Sequence, residues 1–344
     1  MNRMVLRLTP LSGMEMNDSM TDAHGRRIDY LRLSITDRCN LRCRYCMPAQ
    51  GVPKLRHDEM LSYEELSRIT RLLVGMGISK IRITGGEPLV RKDVLHFCGD
   101  IARIAGIRSV SLTTNGVLLD RFAEGLLEAG IQRINISLDS LDPRKYASIT
   151  GKDCFDQVWR GVLKASDAGL SPVKLNAVVM RGVNDDEIED LARLTFRYPF
   201  HVRFIELMPV KGDEEDSLFV GSDEIIGRLS AMGPLSPVNS SHSNGPARHY
   251  QFHGAAGKIG IISPVSHHFC PACNRLRLTA DGKLRTCLFA ANETDLRSSL
   301  RDGASDSDIL EKVREAVLAK PEKHALAPGG VRKCITRPMV AIGG

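Results

Sequence analysis

The chain has 344 residues, of which 42% are hydrophobic and 26% charged, with a formal net charge of +6. These are the proportions of a soluble globular protein of about two domains. No apolar run approaches the roughly 18 residues of a membrane span, and the absence of a dense basic block with interleaved aromatics argues against a nucleic-acid partner.

Residues 1–27 carry Arg3 and Arg7 but only scattered apolar positions, with no secretory core. They are expected to form a disordered extension. A short transit-like leader is the alternative, and Met14, Met16 and Met20 offer later starts. Nine cysteines without a secretory signal argue for reduced thiols that hold metal, in a cytoplasmic protein.

Strand patterns follow at 28–36, 80–84, 109–114, 133–139, 173–180 and 201–207. Amphipathic helical patterns fall between them at 62–77, 92–106, 120–130, 156–169 and 185–198. Six strands alternating with helices predict a parallel α/β sheet, and periodicity leaves open whether it is flat or curled into a barrel. The strands end in polar and glycine-rich loops: the Cys39 loop, Gly85–Pro88, Asn115–Gly116, Ser137–Ser140 and Glu206–Pro209. In α/β barrels such carboxyl ends converge on one mouth, where the chemistry lies.

Beyond residue 220 the pattern changes. The stretch 236–249 is polar and reads as an ordered loop or a mobile linker. The expected division is a barrel over 28–220 and a carboxyl-terminal region over 221–344.

Two cysteine trios carry the strongest signal. Cys39, Cys43 and Cys46 are spaced C-x₃-C-x₂-C, and Cys270, Cys273 and Cys287 are spaced C-x₂-C-x₁₃-C. A structural zinc takes four protein ligands, and a fourth from His57 or His267 would be improvised. Three thiolates on a four-iron cluster instead leave one iron open to a small molecule, which favours a cluster for the first trio. Cys98, Cys154 and Cys334 belong to neither trio and are expected to be buried or incidental thiols. His267 and His268 sit beside Cys270, where shielding the metal and a plain loop role are equally reasonable.

The first trio with Tyr45 before its last cysteine, the following Gly85-Gly86-Glu87-Pro88 and the six-strand pattern resemble the radical S-adenosylmethionine enzymes. The stretches 32–48, 80–93, 111–116, 135–142, 173–185, 203–209 and 257–289, with the terminal Gly343–Gly344, resemble the branch that cyclises GTP in molybdenum-cofactor biosynthesis. The resemblance implies a partial (β/α)₆ TIM-like barrel whose open side is closed by the carboxyl-terminal region. It implies one [4Fe-4S] cluster on Cys39, Cys43 and Cys46 and another on Cys270, Cys273 and Cys287. S-adenosylmethionine would meet Tyr45, Gly86, Ser137 and Met208, the missing Cβ of Gly86 letting backbone approach the cofactor. GTP would lie between the clusters, its guanine on the open iron of the second, against Arg32, Arg82, Thr113, Lys174, Arg275, Leu276 and Arg277. A catalytic role falls to Arg277, Gly343 and Gly344.

The expected product is 3′,8-cyclo-GTP. Implied partners are an electron donor such as flavodoxin or ferredoxin, a downstream cyclic pyranopterin monophosphate synthase and a second copy of the chain, with no nucleic acid and no membrane. Five of the substrate positions are cationic, which suits a triphosphate, because guanidinium forks bind phosphate oxygens with charge-assisted bonds. The rival readings are a radical enzyme that modifies peptides and a zinc-stabilised binding module, for example for RNA.

Overall fold

Six strand–helix units open the computed structural model, which describes residues 20–48, 50–208, 217–238, 245–324 and 337–343. The strands are β1 (Tyr30–Ser34), β2 (Lys80–Thr84), β3 (Ser109–Thr114), β4 (Arg133–Ser137), β5 (Val173–Val179) and β6 (His201–Glu206). They pair in that order, every pair parallel. The intervening helices are α1 (Tyr63–Gly75), α2 (Val94–Ala102), α3 (Leu119–Glu128), α4 (Pro143–Thr150), α5 (Phe155–Asp167) and α6 (Ile188–Arg197).

Alternation along each strand explains the layering. Leu31, Leu33, Ile81, Ile83, Leu112, Ile134, Ile136, Val202 and Phe204 are buried in the continuous hydrophobic core. Each such side chain contributes about 1.5–3 kcal/mol of burial. Their strand neighbours Arg32, Arg82, Ser111, Thr113, Lys174, Asn176 and Arg203 line the concave side. That side is polar because it is a binding cavity, not a second core.

The short helix α4 is an element that the sequence reading leaves out. Asp142 accepts from the backbone N–H of Arg144 and Lys145, Pro143 opens the helix, and Gly151 closes it at φ +73°. An Asp-Pro start with a glycine stop is the signal that would have found it.

The sheet runs unbroken through the division expected at 220–221. After α7 (Ser222–Ala231) come β7 (Leu235–Pro237), β8 (Arg248–Phe252) and β9 (Lys258–Ile262), and β9 lies parallel to β6. On the opposite edge β10 (Arg275–Leu278) lies parallel to β1, followed by antiparallel β11 (Lys283–Arg285) and β12 (Thr294–Asp295). The order is β12-β11-β10-β1-β2-β3-β4-β5-β6-β9-β8-β7. The six-stranded barrel is therefore partial, and the carboxyl-terminal region extends both of its edges. The helices α8 (Leu296–Arg301), α9 (Asp306–Leu318) and α10 (Met339–Ile342) complete the chain. Among the described residues no helix is long and apolar enough to cross a membrane.

The disordered extension expected over 1–27 is corrected over residues 20–27; residues 1–19 lie outside the described residues. Met20 and Ile28 exchange a backbone bond of 2.8 Å. Arg26 pairs with Asp22 at 2.6 Å and donates to the carbonyls of Cys270, Pro321 and Glu322 at 3.0, 2.7 and 2.7 Å. A buried guanidinium with that many partners fixes the segment.

Candidate active site

The loop after β1 carries the first trio. Its backbone is anchored by Arg42 N–H to Thr150 O at 2.8 Å and Arg44 N–H to Ile149 O at 2.9 Å. Asn115, from the loop after β3, donates to Asn40 Oδ1 at 2.7 Å and lies 3.8 Å from Cys39 Sγ. Burial pushes the Cys39 and Cys43 thiols up, and the carboxylates of Glu87 and Asp139 add to the effect.

Two buried acids latch this mouth together. Glu87, fully buried, accepts from Leu89 N–H, Thr114 Oγ1 and Asn115 N–H at 3.0, 2.8 and 2.7 Å, and burial raises it to about 7. Asp139 accepts from Tyr45 Oη and Val178 N–H, both at 2.8 Å, and burial raises it to about 6. Glycine at 86 is also required by a contact within the protein. A Cβ there would sit 2.4 Å from Arg38 O, so the close approach is between the β2 and β1 loops.

Of the second trio, Cys270 and Cys273 lie between β9 and β10, and Cys287 follows β11. Glu206, at the end of β6 and fully buried, accepts from Ser222, Val265 and Ser266 N–H at 2.9, 2.9 and 3.0 Å. That carboxylate ties the barrel to the loop that leads into Cys270. At Cys273 the balance differs from that at Cys39 and Cys43. Burial pushes Cys273 up, but Arg275 and Lys320 outweigh it and bring the thiol down to about 7.

Neither trio suits a single zinc ion. Among the described residues the one group of three possible metal ligands within 4.8 Å of one another is His268, Cys270 and His324. Tetrahedral zinc would hold its sulfurs about 3.8 Å apart, given bonds of about 2.3 Å. Neither trio's three sulfurs all lie within 4.8 Å of one another, a spread that fits a larger thiolate-ligated group, as a cluster is. His324 was not singled out from the sequence. It packs edge-on against His268 at 4.5 Å and Phe289 at 4.8 Å, whereas His267 faces outward and pairs with Asp223 at 2.9 Å.

Both trios open onto one cavity of about 540 Å³. Its wall includes Arg32, Lys80, Arg82, Arg133, Lys174, Arg203, Lys258, Arg275 and Arg277 and, among the described residues, no Asp or Glu. Burial and the neighbouring Arg203, Arg82 and Arg133 lower Lys174 to about 6. Arg277 falls to about 9 through burial and Arg275, and Arg203 to about 10 through burial and Arg82. Thr113 Oγ1, Asn176 Oδ1 and Arg203 Nε are buried with no hydrogen-bond partner among the described residues. A cavity of crowded cations and unsatisfied polar atoms is built for a polyanion.

The structure brings together most of the residues picked from the sequence. Tyr45, Gly86, Ser137, Met208, Arg32, Arg82, Thr113, Lys174, Arg275 and Arg277 all line the cavity with the six trio cysteines. Gly343 is not in the lining but is tied to it, its carbonyl accepting from Arg32 and Arg277, while Gly344 lies outside the described residues. Leu276 differs from Arg275 and Arg277: alternation along β10 turns its side chain away into the core, fully buried, so its side chain does not line the cavity. Cys98 and Cys154 are buried free thiols outside the cavity, and Cys334 lies outside the described residues. Arg203 and Lys80 escaped the sequence reading, although their alternation with the apolar positions of β6 and β2 was the available signal.

The radical SAM superfamily profile matches residues 33–195, and the Molybdenum Cofactor Synthesis C profile matches residues 200–326. The GTP 3′,8-cyclase of Moorella thermoacetica is 48% identical over 326 residues, covering 94% of this chain and 100% of that protein. The GTP 3′,8-cyclase of Geobacter sulfurreducens is 51% identical over 310 residues, covering 90% and 94%. Among solved structures, Streptococcus suis SuiB bound to S-adenosylmethionine superposes with a TM-score of 0.59 at 14% identity, covering 88% of this chain and 74% of that one. That likeness concerns the fold.

Proposed function

The chain belongs to the radical SAM superfamily and, within it, to the GTP 3′,8-cyclases, and from that membership we propose how its residues carry the reaction. The enzyme is a radical SAM lyase that converts GTP to (8S)-3′,8-cyclo-7,8-dihydroguanosine 5′-triphosphate, the first step of molybdenum-cofactor biosynthesis. It works with S-adenosylmethionine and an iron–sulfur cluster.

In this reading Cys39, Cys43 and Cys46 hold one [4Fe-4S] cluster, and Cys270, Cys273 and Cys287 hold a second. The first, with S-adenosylmethionine, would supply a 5′-deoxyadenosyl radical able to take the ribose C3′ hydrogen; C3′ would then close on guanine C8, and one electron and one proton would complete the 7,8-dihydro product. Tyr45, Gly86, Ser137 and Met208 contact S-adenosylmethionine. Asp139 holds the Tyr45 hydroxyl and so sets its place. Arg32, Arg82, Lys174 and Arg203 neutralise the triphosphate, and Thr113 Oγ1 donates to it. Arg275, its guanidinium 4.7 Å above the Phe269 ring, and Arg277 orient the guanine end beside the second trio. The tail supports the step through Gly343. Electrons come from a flavodoxin or ferredoxin, and a cyclic pyranopterin monophosphate synthase consumes the product, all in the cytoplasm. A homodimer is compatible with this scheme.

The observation that carries the reading is that both trios and an array of cationic side chains share one cavity. The test is anaerobic reconstitution with iron and sulfide analysis, then incubation with GTP, S-adenosylmethionine and a reductant. About eight irons per chain are expected, four per cluster, together with the cyclised nucleotide by mass spectrometry. About four irons, or consumption of S-adenosylmethionine with GTP untouched, would sink the two-cluster scheme or the substrate assignment respectively.

A further inference from the structure

Lys320 stands two residues past the carboxyl end of α9 and is 3% exposed. Its ammonium donates to Arg275 O at 3.2 Å and to Thr286 O, and lies 3.6 Å from Cys273 Sγ. Those two carbonyls belong to residues beside Cys273 and Cys287, so one side chain ties both limbs of the second trio. A buried ammonium is costly unless an anion faces it. Arg26, close by, meets that need through Asp22. Lys320 has no carboxylate at ion-pair distance among the described residues, and the sulfur within hydrogen-bond reach of its ammonium is that of Cys273.

Resting on the two-cluster reading above, we propose that Lys320 is a positioning residue that also sets the potential of the second cluster. Three thiolates and an added electron make the reduced cluster the more negative form. A fixed cation at hydrogen-bonding distance from a ligand sulfur favours that form and raises the potential. Near the first trio stand two carboxylates: Asp139 accepts from Tyr45 at 2.8 Å and Glu87 from Asn115 N–H at 2.7 Å. The fold thereby gives two chemically similar clusters different electrostatic settings across one cavity.

The experiment is a redox titration of full-length reconstituted enzyme followed by electron paramagnetic resonance. Wild type is compared with Lys320→Met, which keeps the length and loses the charge, and with Lys320→Arg, which keeps the charge. A Cys39/Cys43/Cys46→Ala chain assigns the signal of the second cluster. In Lys320→Met that midpoint is expected to move to a more negative potential while the first cluster's stays, and Lys320→Arg should restore it. Loss of the second cluster's iron in the Met variant with recovery in the Arg variant supports the same requirement for charge. Full iron content with an unmoved midpoint in Lys320→Met overturns the proposal alone. Equal loss of iron in both variants reduces Lys320 to a space-filling role and overturns it too. Wild-type enzyme with about four irons removes the two-cluster reading and this proposal together.

Discussion

Arg277 donates through Nη1 to the carbonyl of Gly343 at 3.1 Å, and Arg32 reaches the same oxygen through Nη2 at 3.3 Å. The tail is thus held by two arginines from the adjacent strands β10 and β1. Gly343 adopts φ +75°, and a Cβ there would lie 2.9 Å from Ser34 Cβ, so only glycine fits. Gly343→Val is expected to keep iron content, melting temperature and S-adenosylmethionine binding. Formation of the cyclised nucleotide should fall about ten- to a hundred-fold, the range for losing one charged hydrogen bond. A wild-type product rate in single-turnover assays would show the tail to be dispensable.

The charge state of Lys174 yields a second prediction. Burial among Arg203, Arg82 and Arg133 holds it at about 6, so without substrate it is mostly neutral at pH 8. A triphosphate among those guanidiniums restores the charged form, and GTP binding takes up close to one proton. Calorimetry at pH 8 in buffers of different ionisation enthalpy measures this directly. Lys174→Met should abolish the uptake and weaken binding, and an unchanged proton count would place the effect elsewhere.

Glu87 contributes a pH dependence of stability whose sign follows from its burial. Its folded value of about 7 lies above the ordinary 4.5, so the folded state binds the proton more tightly. Its contribution is greatest below about 4.5 and is lost as pH rises through 7. The shift corresponds to about 3 kcal/mol. Glu87→Gln should flatten denaturant stability between pH 5 and 8 and lower it at the acid end, where an amide N–H₂ meets N–H donors. Parallel curves for the two proteins would refute this.

The trios should separate by assay. Cys43→Ala is expected to abolish reductive cleavage of S-adenosylmethionine. Cys287→Ala should leave cleavage measurable without GTP while cyclisation is lost. Intact GTP conversion in Cys287→Ala would make the second trio structural.

Much of this site was readable before any coordinates, because strands, their polar ends and cysteine spacing are local patterns. Leu276 shows where local reading stops. It lies between two cavity arginines in sequence, yet a period of two sends it to the opposite face. Glu206 shows a second limit, since its partner Ser266 is 60 positions away and nothing near Glu206 announces it. Residues 20–27 show a third. Arg26 looks like a leader residue until the carbonyls around Cys270 and Glu322 are seen to surround it. Gly86 adds a packing reason that the sequence does not show, since a Cβ there would meet Arg38 O at 2.4 Å.

The pairing of β1 with β10 has a consequence for synthesis. Tyr30 is matched with Arg275, so the first strand to leave the ribosome waits for a neighbour that is translated much later. At about 5–20 residues per second that wait is about 12–50 s. Throughout it one edge of the nascent sheet is open, and open edges recruit other chains. Overproduction of this protein is therefore expected to depend on chaperone supply and slow induction more than on metal loading. Chains truncated before residue 275 should appear in inclusion bodies, however well their barrel half is encoded.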